Sequence, residues 1–349
     1  PRPERPQEPA RPYPYDVEDI VCDNREAGVR LAGTLTIPRT EGPFPAVRLI
    51  GGSGPLNRDD ECFGHRTFLV LADYLTRRGL AVLRLDKRGA WESGGHFENA
   101  TTKDFADDAL ASIAYLKSRK DIDSGRIGLI GHSEGAMIAP MLAASSADIA
   151  FIVMIAGPGM PLDEVMSLQK CIEAEINGAD PGKVAFLRTW YSRFYHAVKS
   201  DKDNDAVAEK IRRIYSGLTQ QQEEMLGWSE AKLNSEIKTV LSPWWRYLLK
   251  FIPSDFLAKV ECPVLAATGS IDLQVSSRRN LNRIGEALKA GGNPDCTIIE
   301  LDDMNHLLQT AETGAESEYG QIEETVSPAA LQTIGDWIIA HVAIPTVGN

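Results

Sequence analysis

One stretch near the middle of the chain limits the possible folds more than any other. Arg126-Ile127-Gly128-Leu129-Ile130 turns from alternating to continuous apolar character, as a buried strand does. Ala136 to Ala144 is small and apolar, as a buried helix is. Between them stands Gly131-His132-Ser133-Glu134-Gly135, a Gly-x-Ser-x-Gly pattern. A strand that turns into a helix within so few residues leaves no room for a Cβ at the glycines. Such a turn lifts the serine Oγ out of the fold as a nucleophile elbow. The following helix start offers free N–H groups and a positive dipole end where an oxyanion would form.

The elements on either side are read in the same way. Asp16 to Cys22 and Val29 to Ile37 alternate around a turn and predict an antiparallel hairpin. Apolar strands are expected at Ala46–Ile50, Leu80–Leu85, Ile149–Ile155, Val264–Thr268 and Thr297–Leu301. Helical spacing marks Arg66–Arg78, Thr102–Ser118, Ser276–Ala290 and Pro328–Val342. Apolar strands alternating with helices predict an α/β fold: a mostly parallel, doubly wound sheet covered on both faces, with the hairpin added at one edge. The expected core is 16–157 plus 261–349. Residues 158–260 lack strand-like runs and contain Trp190, Trp228, Trp244 and Trp245. They are expected to form a helical cap over the C-terminal sheet edge, where open α/β sheets bind ligands. Most of the aromatic residues would fill the cap's own core.

Residues 1–15 are proline-rich and are expected to be an extended linker. Together with the missing initiator Met, that suggests a removed leader and export. A net charge of −12 argues against a nucleic-acid partner. No apolar run reaches the ~18 residues of a membrane span. The cysteines at 22, 62, 171, 262 and 296 are scattered, with neither a C-x-x-C pair nor a Cys/His cluster at metal-ligand spacing.

A serine nucleophile needs a base and a group that orients it. His306 lies in Asp302-Asp303-Met304-Asn305-His306, just beyond the last strand and at the same sheet edge as Ser133. His132 sits within the elbow and points away from the serine; the other histidines fall outside the region that supplies a base. The acid should follow an intervening strand, and Asp272 in Gly269-Ser270-Ile271-Asp272 does so. Its bland role would be a turn or helix cap. Asp163 or Glu164, after the preceding strand, is the alternative acid. Two backbone N–H groups should form the oxyanion hole. One is that of Glu134; the other comes from Gly51-Gly52-Ser53-Gly54, with Ser53 chosen and Gly54 its neighbour.

These residues resemble the α/β-hydrolase superfamily over nearly all of Asp16 to Val342. Gly-Ser-Gly-Pro with Arg58-Asp59, then Asp86-Lys87-Arg88-Gly89 with Ser93-Gly94-Gly95, then Gly-His-Ser-Glu-Gly, is similar to a capped bacterial carboxylesterase branch related to the prolyl oligopeptidase and dienelactone hydrolase groups. The resemblance implies hydrolysis of small acyl or aryl esters with no metal or organic cofactor. Two positions depart from the pattern: Gly51-Gly52 replaces His-Gly in the oxyanion loop, and Trp91 replaces a glycine. A peptidase or acyltransferase with the same triad is the alternative; a non-catalytic binding protein is the reading from another class.

Overall fold

In a computed structural model that describes residues 3–342, strand β1 (Tyr15–Asn24) pairs with β2 (Val29–Pro38) along its whole length as an antiparallel hairpin. β3 (Phe44–Ile50) is followed by a small ribbon, β4 (Glu61–Cys62) and β5 (His65–Arg66). Next come α1 (Thr67–Arg77), β6 (Ala81–Leu85), α2 (Thr102–Ser118), β7 (Ile122–His132), α3 (Glu134–Ala143) and β8 (Phe151–Ile155). The main sheet has eight strands in the order β1-β2-β6-β3-β7-β8 and then the two strands near the C-terminus, β9 (Val264–Gly269) and β10 (Cys296–Leu301). From β6 to β10 every pairing is parallel; the hairpin joins β6 in antiparallel fashion. The fold class is therefore the expected one.

The strand order matters for function. From β3 the chain crosses to β6 on one side and then to β7 on the other. The loops leaving β3 and β7 thus part at a topological switch point, where a crevice opens at the strand ends. Ile50, the last residue of β3, is in register with Gly131 of β7. Those central strands are mostly apolar because both faces are covered: Val47, Leu49, Ile130, Phe151, Val153 and Leu265 form one buried cluster with Leu71, Leu75 and Ile334, and Ala46, Ile127, Leu129 and Ile152 are buried on the other face.

The chain divides into two compact units, the sheet-bearing core and a second unit of 98–102 and Met160–Ile252. The second unit contains α4 (Leu162–Ile176), α5 (Pro181–Lys199), α6 (Asn204–Tyr215), α7 (Gln220–Leu226), α8 (Glu230–Val240) and α9 (Pro243–Leu248). Its helices after α4 begin on side-chain caps, among them Asp180, Asp203 and a Thr219/Gln222 capping box. Trp190, Phe194, Tyr215, Ile211 and Val207 fill a core of its own. Trp190 meets Tyr215 edge-on at 4.7 Å. Trp245 packs against this core and Trp244 against Trp245, whereas Trp228 is exposed.

Residues 253–260, expected with the insertion, fold with the sheet-bearing unit. There α10 (Ser254–Leu257) is anchored because the Asn293 amide donates to the carbonyls of Val260 (2.8 Å) and Cys262 (2.9 Å). The unit is completed by α11 (Ser277–Ala290), α12 (Glu316–Tyr319) and α13 (Pro328–Val342). The proline-rich start is not a free linker. Arg5 donates to the Ile322 carbonyl at 2.7 Å, Gln7 donates to that of Val326 at 2.7 Å, and Glu8 pairs with Arg66. Proline removes backbone donors but leaves the intervening side chains able to bind. Residues 1–2 of that expected linker and 343–349 of the expected core lie outside the described residues. The five cysteines are free thiols. No described helix is long and apolar enough to cross a membrane.

Candidate active site

The elbow is built as its sequence requires. Ser133 stands between β7 and α3 at φ 54° and ψ −112°, a region that side-chain-bearing residues seldom occupy. A Cβ on Gly131 would lie 2.0 Å from the Gly135 carbonyl oxygen, and one on Gly135 would lie 1.9 Å from that of Ile50. Only glycine permits these approaches. They press α3 onto β3 and hold Ser133, partly exposed, at the crevice.

Asp272 and His306 come together at the ends of β9 and β10. Asp272 Oδ2 lies 2.8 Å from His306 Nδ1, and both side chains are buried. A carboxylate only accepts, so Nδ1 carries a hydrogen, and in the neutral ring the lone pair is then on Nε2. Asp272 Oδ1 meanwhile accepts from the N–H groups of Gln274 and Val275, each at 2.9 Å. The turn-cap role and the orienting role thus fall on different oxygens of one carboxylate. The two loops are laced together: Ser270 and Ile271 N–H donate to the carbonyls of Leu301 (2.8 Å) and Met304 (3.1 Å). Asn305 stiffens the second loop by accepting from the N–H groups of Leu307 and Gln309, each at 3.0 Å. The alternative acid Asp163 is bound by Lys199 within the helical unit. Among the described residues Ser133 Oγ forms no hydrogen bond; nucleophile–base contacts commonly tighten when substrate binds.

The loop after β3 lies against the elbow. A Cβ on Gly52 would be 3.4 Å from both Ser133 Cβ and His132 Nδ1. Gly52 N–H is already committed to Asp60 Oδ1 at 3.2 Å, whereas among the described residues the N–H groups of Ser53 and Gly54 have no acceptor. Glu134 begins α3, where the first N–H groups have no acceptor within the helix.

Sequence reasoning gave no partners to three enclosed groups here, His132, Asp60 and Lys87. Both ring nitrogens of His132 are engaged away from Ser133. Nδ1 lies 3.0 Å from Asp60 Oδ2, and Nε2 lies 3.1 Å from the His306 carbonyl oxygen. Burial opposes a charge on this ring, yet the hydrogen bond and negative charge of Asp60 prevail and raise its pKa above the ordinary imidazole value. The third group, Lys87, donates to Glu134 Oε2 at 2.9 Å. A histidine inside a buried elbow needs partners for two nitrogens, and that demand was the available signal.

The remaining motif residues latch the loops after β3 and β6 together. Arg58 grips Asp86 (2.7 Å), Arg84 pairs with Asp59, and Ser93 Oγ donates to the Asp86 carbonyl at 2.8 Å. Trp91, in place of glycine, takes φ 51°, and its indole N–H donates to the Pro55 carbonyl at 3.2 Å. Among the described residues no three His, Cys, Asp or Glu side chains converge as a metal site.

The chain is similar to several known proteins. The family model described as X-Pro dipeptidyl-peptidase (S15 family) matches residues 27–306. The chain is 28% identical to Esterase EstD of Thermotoga maritima over 329 residues, which covers 94% of this chain and 68% of that protein. Among solved structures, a Pyrococcus furiosus esterase superposes with a TM-score of 0.57 at 16% identity, covering 98% of both chains. Est1E from Butyrivibrio proteoclasticus, with ferulic acid bound, superposes with a TM-score of 0.56 at 15% identity, covering 93% of this chain and 100% of that one. The structural likenesses carry the fold alone.

Proposed function

The chain belongs to the X-Pro dipeptidyl-peptidase (S15) family of α/β-hydrolases, and within that family we propose that it is a carboxylesterase acting on small to medium acyl or aryl esters through Ser133, His306 and Asp272. The observation that carries this reading is the buried Asp272–His306 contact, formed between loops at the same sheet edge as the elbow. The esterase name of a relative matched over 94% of the chain favours esters over peptides. The family's own description keeps an X-Pro peptidase as the second reading.

In the proposed reaction His306 Nε2 takes the Ser133 hydroxyl proton as Oγ bonds to the ester carbonyl carbon. The carbonyl π pair moves to oxygen, where the N–H groups of Glu134 and Ser53 receive the negative charge. Asp272 holds the imidazole tautomer and stabilises the imidazolium. Collapse breaks the bond to the alcohol oxygen, which takes the proton from His306. Water then attacks the acyl-enzyme by the same steps, releasing the acid and restoring Ser133.

A panel of p-nitrophenyl esters of rising acyl length, with an X-Pro p-nitroanilide added, tests the reading. Ester turnover should exceed anilide turnover and should disappear in Ser133→Ala. Asp272→Asn should lower kcat by roughly 10³–10⁴-fold with the fold intact. Native ester rates in Ser133→Ala would sink the proposal. A preference for the anilide would move the chain to the peptidase reading, and an unaffected Asp272→Asn would remove that residue from the triad.

A further inference from the structure

The two peptide units that flank Gly52, the second of which carries the Ser53 N–H, are each held by a charged group. Gly52 N–H donates to Asp60 Oδ1 (3.2 Å), and the Gly52 carbonyl accepts from Lys87 Nζ. Each of these groups also binds a residue adjoining Ser133. Asp60 Oδ2 engages His132 at 3.0 Å, and Lys87 Nζ engages Glu134 at 2.9 Å. The four side chains are 2%, 7%, 10% and 1% exposed for Asp60, His132, Lys87 and Glu134, so water does not substitute for these contacts. The far nitrogen of His132 reaches the backbone of His306 itself.

We propose that the pairs Asp60–His132 and Lys87–Glu134 form a charged clamp that sets the oxyanion loop and the His306 loop against the nucleophile, making these four side chains positioning residues of the reaction. The proposal rests on the reading of Ser133 as nucleophile.

Chemistry supports a charged arrangement. Both His132 nitrogens face oxygens that accept, a carboxylate and a carbonyl. A neutral imidazole donates once; the imidazolium donates twice and satisfies both. Stability alone is a poor reason for two buried ion pairs, because desolvation offsets much of their attraction. What they supply is direction. Lys87 has donors for a carboxylate and a carbonyl together, and Asp60 has one oxygen for an amide and one for an imidazole. A displacement of ~1 Å at such a site costs about 100-fold in rate, and the loss of an oxyanion donor costs about 10²–10³-fold in kcat.

The test removes both charges of one arm at once, so that neither is left buried alone. In K87M/E134Q the labelling rate by a fluorophosphonate and kcat for a p-nitrophenyl ester should fall about 10–100-fold, with KM within about twofold and cooperative thermal unfolding retained. A folded double variant that labels and turns over at the wild-type rate overturns the clamp. If that variant does not fold, E134Q alone serves, since its amide oxygen still accepts from Lys87; it should lose several-fold in labelling rate, and no loss overturns the proposal. Independently of any folding defect, ¹⁵N NMR of the wild-type His132 ring at neutral pH should show both nitrogens protonated, and a neutral ring overturns the charged arm. Failure of the probe to label the wild type would instead count against Ser133 as nucleophile.

Discussion

Gly135 shows how one atom can decide how closely a helix and a strand approach. Its missing Cβ lets α3 approach the Ile50 carbonyl of β3, and Ile50 leads directly into the loop proposed to supply an oxyanion donor. Gly135→Ala would place a methyl group 1.9 Å from a backbone oxygen that has no side chain to swing aside. We expect a loss of about 3 kcal/mol, the upper end for overpacking, together with a fall in esterase rate as helix and loop part. Urea denaturation and ester turnover read the two effects; a variant with wild-type stability would show that the backbone can yield there. Ser133, Asp272 and His306, the members of the proposed triad, could be picked out in the sequence because each follows a strand that its own run of residues announces. Asp60 and Lys87 were not. They are ordinary charged residues in turn-rich segments, and their roles appear only when β3, β6 and β7 lie side by side.

Among the elements, the parallel strands and their helices were the most legible, since burial on both faces writes itself as continuous apolar sequence. The N-terminal segment was the least. Its prolines forbid a sheet or helix, which composition expresses; its docking depends on Arg5, Gln7 and Glu8 meeting residues 320–326 and Arg66, far along the chain. Gln7 also accepts from the N–H groups of Thr325 and Val326. Deleting residues 1–14 should therefore destabilise the protein by about 2 kcal/mol or more, at about 1 kcal/mol for each net hydrogen bond lost. A deletion protein with an unchanged Tm would return this segment to the status of a linker. The same long-range logic explains residues 253–260, which read like the insertion before them but are fastened to the core by Asn293.

Across the whole molecule, two units with separate cores should respond separately to damage. Trp190 is 3% exposed and lies among Phe194, Tyr215 and their neighbours in the helical unit. Trp190→Ala should cost about 3–5 kcal/mol, and amide hydrogen exchange should show protection falling throughout α4–α8 while β3, β7 and β8 keep theirs. A uniform loss in both units would mean that they unfold as one. The chain's linear order was enough to give the layered α/β architecture, the helical insertion and the residues of the proposed triad, because strand and helix periods and sharp glycine turns are local properties. Partners were another matter. Which groups meet His132, which lysine holds Gly52, and where the proline-rich start docks depend on groups separated by tens to hundreds of residues. Those choices are made by strand order and burial, since a buried polar atom must take whatever partner the packed fold brings within reach. The elbow is local, and the clamp around it exists only in three dimensions.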